Sequence, residues 1–150
     1  VNNNNIIISS DDSLISYDMV SGSRIWQVPI TVSVKIDTSN SFVFVYTEND
    51  LLICLNKNGD ILWSKNIFKE LGSLNQKLDK KKVGVISSLI IADSNIMLFS
   101  SSGHLFEFNS KNGKLMRANR ISKSGFVTDP IFSNGKMFFF NKKYKLLNFN

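Results

Sequence analysis

Residues 42–64 read FVFVYTENDLLICLNKNGDILWS. An apolar run at 42–45 is followed by a polar turn at 48–50 and a second apolar run at 51–55. Then come Asn56, a turn closed by Asn58-Gly59, and a third short run ending at Trp63. Apolar runs this short, bounded by Asn, Asp and Gly, have the length of strands and not of helices. Asn-Gly supplies positive φ at no steric cost, so the last two runs form a hairpin.

The same grammar recurs along the chain. Residues 5–27 read NIIISSDDSLISYDMVSGSRIWQ, and 95–118 read NIMLFSSSGHLFEFNSKNGKLMRA. A fourth copy, 136–150, reads KMFFFNKKYKLLNFN. Gly22, Gly59 and Gly113 close equivalent turns, and Trp26 and Trp63 stand four residues after the first two. Arg117 holds that place in the third copy. A further strand is expected between copies, at 31–36, 84–91 and 125–132. Pro29 just precedes the first of these, and Pro130 falls inside the last, where an edge or a bulge is expected.

Each unit then has four strands and about 40 residues, the size of a propeller blade. The fold class expected is all-β: a partial β-propeller of three to four four-stranded antiparallel blades. The copies fall near 5–30, 31–66, 84–122 and 125–150, in a single partial propeller covering 1–150. Such units hide their apolar faces only by stacking on one another.

The interval from Gly59 to Gly113 is longer than that from Gly22 to Gly59, and the excess matches a basic stretch after Trp63. This insertion, 67–83, carries Ile67, Leu71, Leu74 and Leu78 at helical spacing. A short amphipathic helix near 67–82, interrupted at Gly72, is expected to cap one end of the β-structure. Lys65, Lys69, Lys77, Lys80, Lys81 and Lys82 dominate its charge. Lysine runs of this kind are ordinarily solvated loops, and no nucleic-acid partner is expected.

The chain has 150 residues, 43% apolar and 20% charged, with a net charge of +6. That composition is globular. The only cysteine, Cys54, excludes an internal disulfide and reads as a buried thiol. No run reaches the roughly 18 apolar residues that span a bilayer. Ile6-Ile7-Ile8 is too short for a signal h-region. The chain starts at Val1 and not Met, which suggests a fragment or a processed product.

The repeats resemble those of the pyrroloquinoline-quinone-like propeller family, whose usual form is Ala-Leu-Asp, three residues, Gly, three residues, Trp. Ser16-Tyr17-Asp18, Gly22 and Trp26 fit that spacing. Cys54-Leu55-Asn56, Gly59 and Trp63 fit with one residue deleted. Glu107-Phe108-Asn109 and Gly113 fit, with Arg117 in place of the Trp. The resemblance implies that Trp26 and Trp63 dock against the neighbouring blade, with a departure at the third contact. The structural motif residues are therefore Asp18, Gly22, Trp26, Asn56, Gly59, Trp63, Asn109 and Gly113.

One branch of this family comprises quinone- and calcium-dependent dehydrogenases. The other is non-enzymatic and includes the lipoprotein subunit of the outer-membrane β-barrel assembly machinery. The residues favour the second. Asp11, Asp12 and Asp37 lack calcium-ligand spacing and read as turn carboxylates. His104 is the only histidine and reads as a surface or packing residue, and one His with one Cys makes no zinc site. Glu48, Glu70 and Glu107 would need burial beside a substrate to act as acids or bases. Glu107 is expected to face outward or pair with a lysine. No catalytic residue, cofactor or metal is therefore expected. The resemblance implies a scaffold with a protein partner, the assembly machinery, on the periplasmic side of the outer membrane. Its membrane association would run through a lipid anchor outside this segment. The alternative is a fragment of a quinone-dependent dehydrogenase whose ligands lie elsewhere.

Overall fold

The strands at 42–46, 51–56, 95–100 and 104–109 are buried on both faces, and that explains their apolar runs. In the computed structural model, which describes residues 4–39, 41–74, 78–92 and 94–149, alternate residues of β5 (Phe42–Tyr46) point to opposite neighbours. Phe44 and Tyr46 join one core; Val43 and Val45 join another. In β6 (Leu51–Asn56), Leu52 and Cys54 face the first core, Ile53 and Leu55 the second. A strand alternates faces every residue, so two apolar faces require a continuous apolar run.

The strands form four antiparallel sheets in chain order. Sheet 1 holds β1 (Asn5–Ser9), β2 (Leu14–Asp18) and β3 (Arg24–Val28). Sheet 2 holds β4 (Asp37–Thr38), β5, β6 and β7 (Ile61–Asn66). After α1 (Ile67–Ser73) and α2 (Lys80–Val83) comes sheet 3, with β8 (Ile86–Ala92), β9 (Asn95–Ser100), β10 (His104–Asn109) and β11 (Leu115–Arg120). Sheet 4 holds β12 (Ile131–Ser133), β13 (Lys136–Phe140) and β14 (Leu146–Phe149). Two sheets thus have four strands and two have three. The chain is a part-propeller of stacked blades.

Each pair of neighbouring sheets encloses its own core. Leu14, Val43, Val45 and Leu55 meet between sheets 1 and 2. Phe44, Leu52, Leu98, Phe106 and Phe108 meet between sheets 2 and 3. Phe99, Leu105, Phe126, Met137 and Phe139 meet between sheets 3 and 4, with Phe126 edge-on to both Phe99 and Phe139.

Of the three connecting strands expected, the one at 84–91 forms as β8, while the other two are shorter than the sequence implies. Only Val32 of 31–36 makes a bridge, to Thr47, and the ladder resumes at Asp37. Between them the Ser33 amide and hydroxyl both donate to the Tyr46 carbonyl, so one acceptor takes two donors and the register slips. In 125–132 only Phe126 bridges, to Asn141, before β12 begins. Pro130 therefore lies just ahead of its strand and not inside it; a residue with no N–H is best placed there.

Two polar contacts tie the inner strands together. The Asp37 carboxylate accepts from the Ile91 amide of sheet 3 at 2.8 Å. The Ser88 hydroxyl donates to Asp129, in the connection leading to sheet 4. Asp37 is thus a link between sheets and not the turn carboxylate expected.

The insertion is part of the core. Asn66 caps α1 by accepting from the Lys69 amide, and Asp79 caps α2 by accepting from the Lys82 amide. Helix α1 packs on both β7 and β11. Ile67, Leu71 and Val83 are fully buried in the core between sheets 2 and 3. The helix expected near 67–82 is two short ones: α1 passes through Gly72, ends at Ser73 and is capped by Leu74, and α2 starts at Lys80. Lys77 lies outside the described residues.

Candidate functional site

The equivalent turns are built alike. Asp18 accepts from the Val20 and Ser21 amides and from the Ser21 hydroxyl, at 3.0, 2.7 and 2.9 Å. The Ser21 amide does most to hold the Asp18 carboxyl below the usual carboxylate range. The Asn56 side chain accepts from the Asn58 and Asp60 amides at 2.9 and 3.0 Å. Asn109 accepts from the Lys111 amide at 3.0 Å. These side-chain caps curl the chain so that the turn closes on a glycine in the left-handed region: φ is +69° at Gly22, +88° at Gly59 and +68° at Gly113.

Two of the glycines lie under a tryptophan of the preceding sheet. A Cβ on Gly59 would stand 2.8 Å from the Trp26 ring, and one on Gly113 would stand 2.6 Å from the Trp63 ring. The Trp26 indole N–H donates to the Lys57 carbonyl at 2.8 Å, and that of Trp63 to the Ser110 carbonyl at 3.1 Å. Trp63 also contacts the Phe44 ring, centroids 6.1 Å apart. Trp26 and the Asn56–Gly59 turn are thus brought together, as are Trp63 and the Asn109–Gly113 turn. Asp18 and Gly22 cap the first turn, and among the described residues nothing but Gly22's own chain neighbours lies within 4 Å of where its Cβ would stand.

A regularity the repeat alone did not disclose lies across the strands. Ser16 pairs with Trp26, Cys54 with Trp63, and Glu107 with Arg117. The register shifts at the next residue in all three sheets. This recurring bulge turns the outer strand, and with it the residue four beyond the glycine. In sheets 1 and 2 a small residue sits opposite the indole. In sheet 3 the pair is Glu107 and Arg117, which are ion-paired, with Arg117 Nε donating to Glu107 Oε1 at 2.9 Å. Glu107 is therefore buried and held by an arginine, neither facing outward nor pairing with a lysine. A cross-strand neighbour facing a guanidinium is stabilised by opposite charge, as this pair is.

Beside Arg117, sheets 3 and 4 enclose a groove of about 700 Å³ walled by Met97, Leu105, Phe132, Met137 and Phe149. A smaller cavity of about 220 Å³ lies among the inner strands, by Lys35, Asp37, Ser88 and Asp129. Among the described residues no three of His, Cys, Asp and Glu lie close enough to hold a metal ion. No helix there is long and apolar enough to cross a membrane.

A family model described as "Outer membrane protein assembly factor BamB" matches residues 2–150. The chain belongs to the BamB family. The BamB protein of Escherichia coli strain K12 is 21% identical over 87% of this chain and 30% of its own length. The chain thus spans under a third of that relative. BamB of Moraxella catarrhalis superposes with a TM-score of 0.70 at 14% identity, over 97% of this chain and 46% of that one. The quinohemoprotein alcohol dehydrogenase of Comamonas testosteroni gives 0.59 at 13% identity, over 77% and 19%. These structural likenesses concern the fold.

Within this BamB-family blade stack the reactive side chains serve packing. Cys54 is buried, and burial pushes its thiol up to about 11. Tyr46 donates to Asp50 at 2.7 Å, and burial first, then Asp50, raises its phenol. His104 is buried. The Ser102 hydroxyl donates to the Val83 carbonyl at 2.6 Å, so the ring proton sits on His104 Nδ1, which donates to Ser102 Oγ at 2.8 Å. Burial, and after it the charge of Arg120, lower the His104 pKa. The folded state thus prefers the neutral ring, and its stabilising effect, present above the unfolded value near 6.5, is lost as pH falls. The urea midpoint is expected to fall between pH 7 and pH 5, and His104→Gln should flatten that slope. An unchanged slope in the variant would refute the assignment.

Proposed function

We propose that this chain is part of a non-catalytic scaffold that assists outer-membrane β-barrel assembly from the periplasmic side through protein–protein contacts. The observation that carries the reading is the family match over residues 2–150. The residues support it: Glu107, His104, Asp37 and Cys54 are all engaged within the fold, as ion pair, hydrogen-bonded ring, inter-sheet link and core thiol. Propellers of this design present loops at the two ends of the stack, where binding surfaces are commonly placed. In this reading segment 1–150 works as one unit, and the Gly-turn and Trp pairs are its blade-docking device.

The test is deletion of the encoding gene in its own host. Outer-membrane β-barrel proteins are expected to fall and to recover with the wild-type gene, but only partly with Trp63→Ala. Undiminished barrel proteins, together with quinone- and calcium-dependent dye reduction by the purified full-length protein, would establish the dehydrogenase alternative instead.

A further inference from the structure

Strands alternate direction, so the turns β9–β10 and β13–β14 and the connections β7–β8 and β11–β12 all emerge at one end of the stack. They are sewn together there. The Ser102 hydroxyl donates to the Val83 carbonyl, Arg120 Nε donates to the Ser102 carbonyl at 3.1 Å, and Phe126 bridges Asn141. Basic residues from three separate segments therefore share one surface. Lys81, Lys123, Lys142, Lys143 and Lys145 are exposed, and among the described residues none has a carboxylate within 4.0 Å. Asp50 is already paired with Lys80, and Asp79 caps α2. Over sheets 1 and 2 the same end carries Asp11, Asp12 and Glu48, so the basic character belongs to sheets 3 and 4.

Large apolar groups stand among these lysines. Tyr144 is 81% exposed at the tip of the β13–β14 turn, held at φ +56° while Asn141 accepts from the Lys143 and Lys145 amides. Val85 is 70% exposed, three residues after Lys82. The one arginine here, Arg120, has its guanidinium on the Ser102 and Lys123 carbonyls. What remains free is a set of lysines, point charges on flexible stems with no fork for bidentate phosphate recognition. Lysine heads around an exposed tyrosine and valine match an anionic bilayer surface, where charge stays at the headgroups and apolar groups enter the interface.

We propose that this end of sheets 3 and 4 docks on a membrane surface rich in anionic headgroups. The contact adds to any anchor the family carries and orients the stack with its basic end toward the bilayer.

The test is co-sedimentation of the chain with vesicles of phosphatidylcholine containing about 30 mol% phosphatidylglycerol, against pure phosphatidylcholine and against no vesicles. Binding is expected only to the anionic vesicles, weakening at least about tenfold as NaCl rises from about 50 to about 300 mM. Each lysine is worth roughly fivefold at such a surface, so Lys142→Glu/Lys143→Glu/Lys145→Glu should lose well over tenfold. Tyr144→Asn, which keeps the left-handed turn, should lose about threefold. A control with the same charge change at the opposite end, Lys57→Glu/Lys111→Glu/Lys114→Glu, should stay within about twofold. Equal loss in the control, equal binding to neutral vesicles, or no vesicle binding with salt-sensitive binding to DNA or to an acidic protein would overturn the proposal. So would pelleting without vesicles, which would mean that the acidic and basic halves of two copies meet.

Discussion

Trp63→Ala should lower the unfolding free energy by about 3 kcal/mol, measured by urea titration. The ring is half-buried, so the figure sits at the low end for removal of a large aromatic. It touches Phe44, covers Gly113 and donates a hydrogen bond to the Ser110 carbonyl. Truncation therefore opens a void between sheets 2 and 3 and removes a polar tie across the same seam. Trp26→Ala should cost less, about 2 kcal/mol. Its indole spans sheets 1 and 2 in the same manner, but its hydrogen bond is solvent-exposed. Equal and negligible losses, under about 0.5 kcal/mol for both, would place the two rings among ordinary surface positions.

The second large effect lies in the insertion. Leu71→Ala should cost about 3 kcal/mol, because Leu71 is 1% exposed and sits with Ile67 and Val83 in the core between sheets 2 and 3. Lys69→Ala, two residues away on the exposed face of α1, should change stability by less than about 0.5 kcal/mol. A helix that merely caps the end of the stack would show no such contrast. Since α1 touches both β7 and β11, the leucine's loss should loosen two sheets at once and lower the cooperativity of unfolding.

Which features could be read from the residues follows from the range of the forces involved. The hairpins were legible because their signals are local. Asn58-Gly59 and Asn112-Gly113 specify a turn within four residues, and the apolar runs of 42–45 and 51–55 have strand length. The stacking of blades was legible from the repeat together with those runs, since a strand apolar on both sides needs a neighbour on both sides. The helical spacing of Ile67 and Leu71 marked α1, but its depth in the core depends on β7 and β11 meeting around it, which no local pattern encodes.

Pairings between distant segments were not legible. Asp37 looked like a turn carboxylate because its partner, the Ile91 amide, belongs to the next sheet. Glu107 looked like an outward residue of an alternating strand. Its burial follows from register, which sets it opposite Arg117, the residue standing where the other copies have tryptophan. One signal for this was available: a glutamate replaces the Ser16 and Cys54 position in the copy whose tryptophan becomes arginine. The connecting strands expected at 31–36 and 125–132 came out shorter than their composition suggests, because Ser33 doubles its donors on one carbonyl and Pro130 brings no N–H to a ladder; the one at 84–91 formed as β8.

The account rests on like hairpins shielding one another's apolar faces, with an indole from each sheet seated on the turn of the next. Hydrogen exchange of the two indole N–H groups, followed by NMR, tests this most directly. Protection of both is predicted, with Trp63 approaching the amides of β6 and β10 and Trp26 less protected. Exchange of both indoles at the rate of a free tryptophan side chain would contradict it.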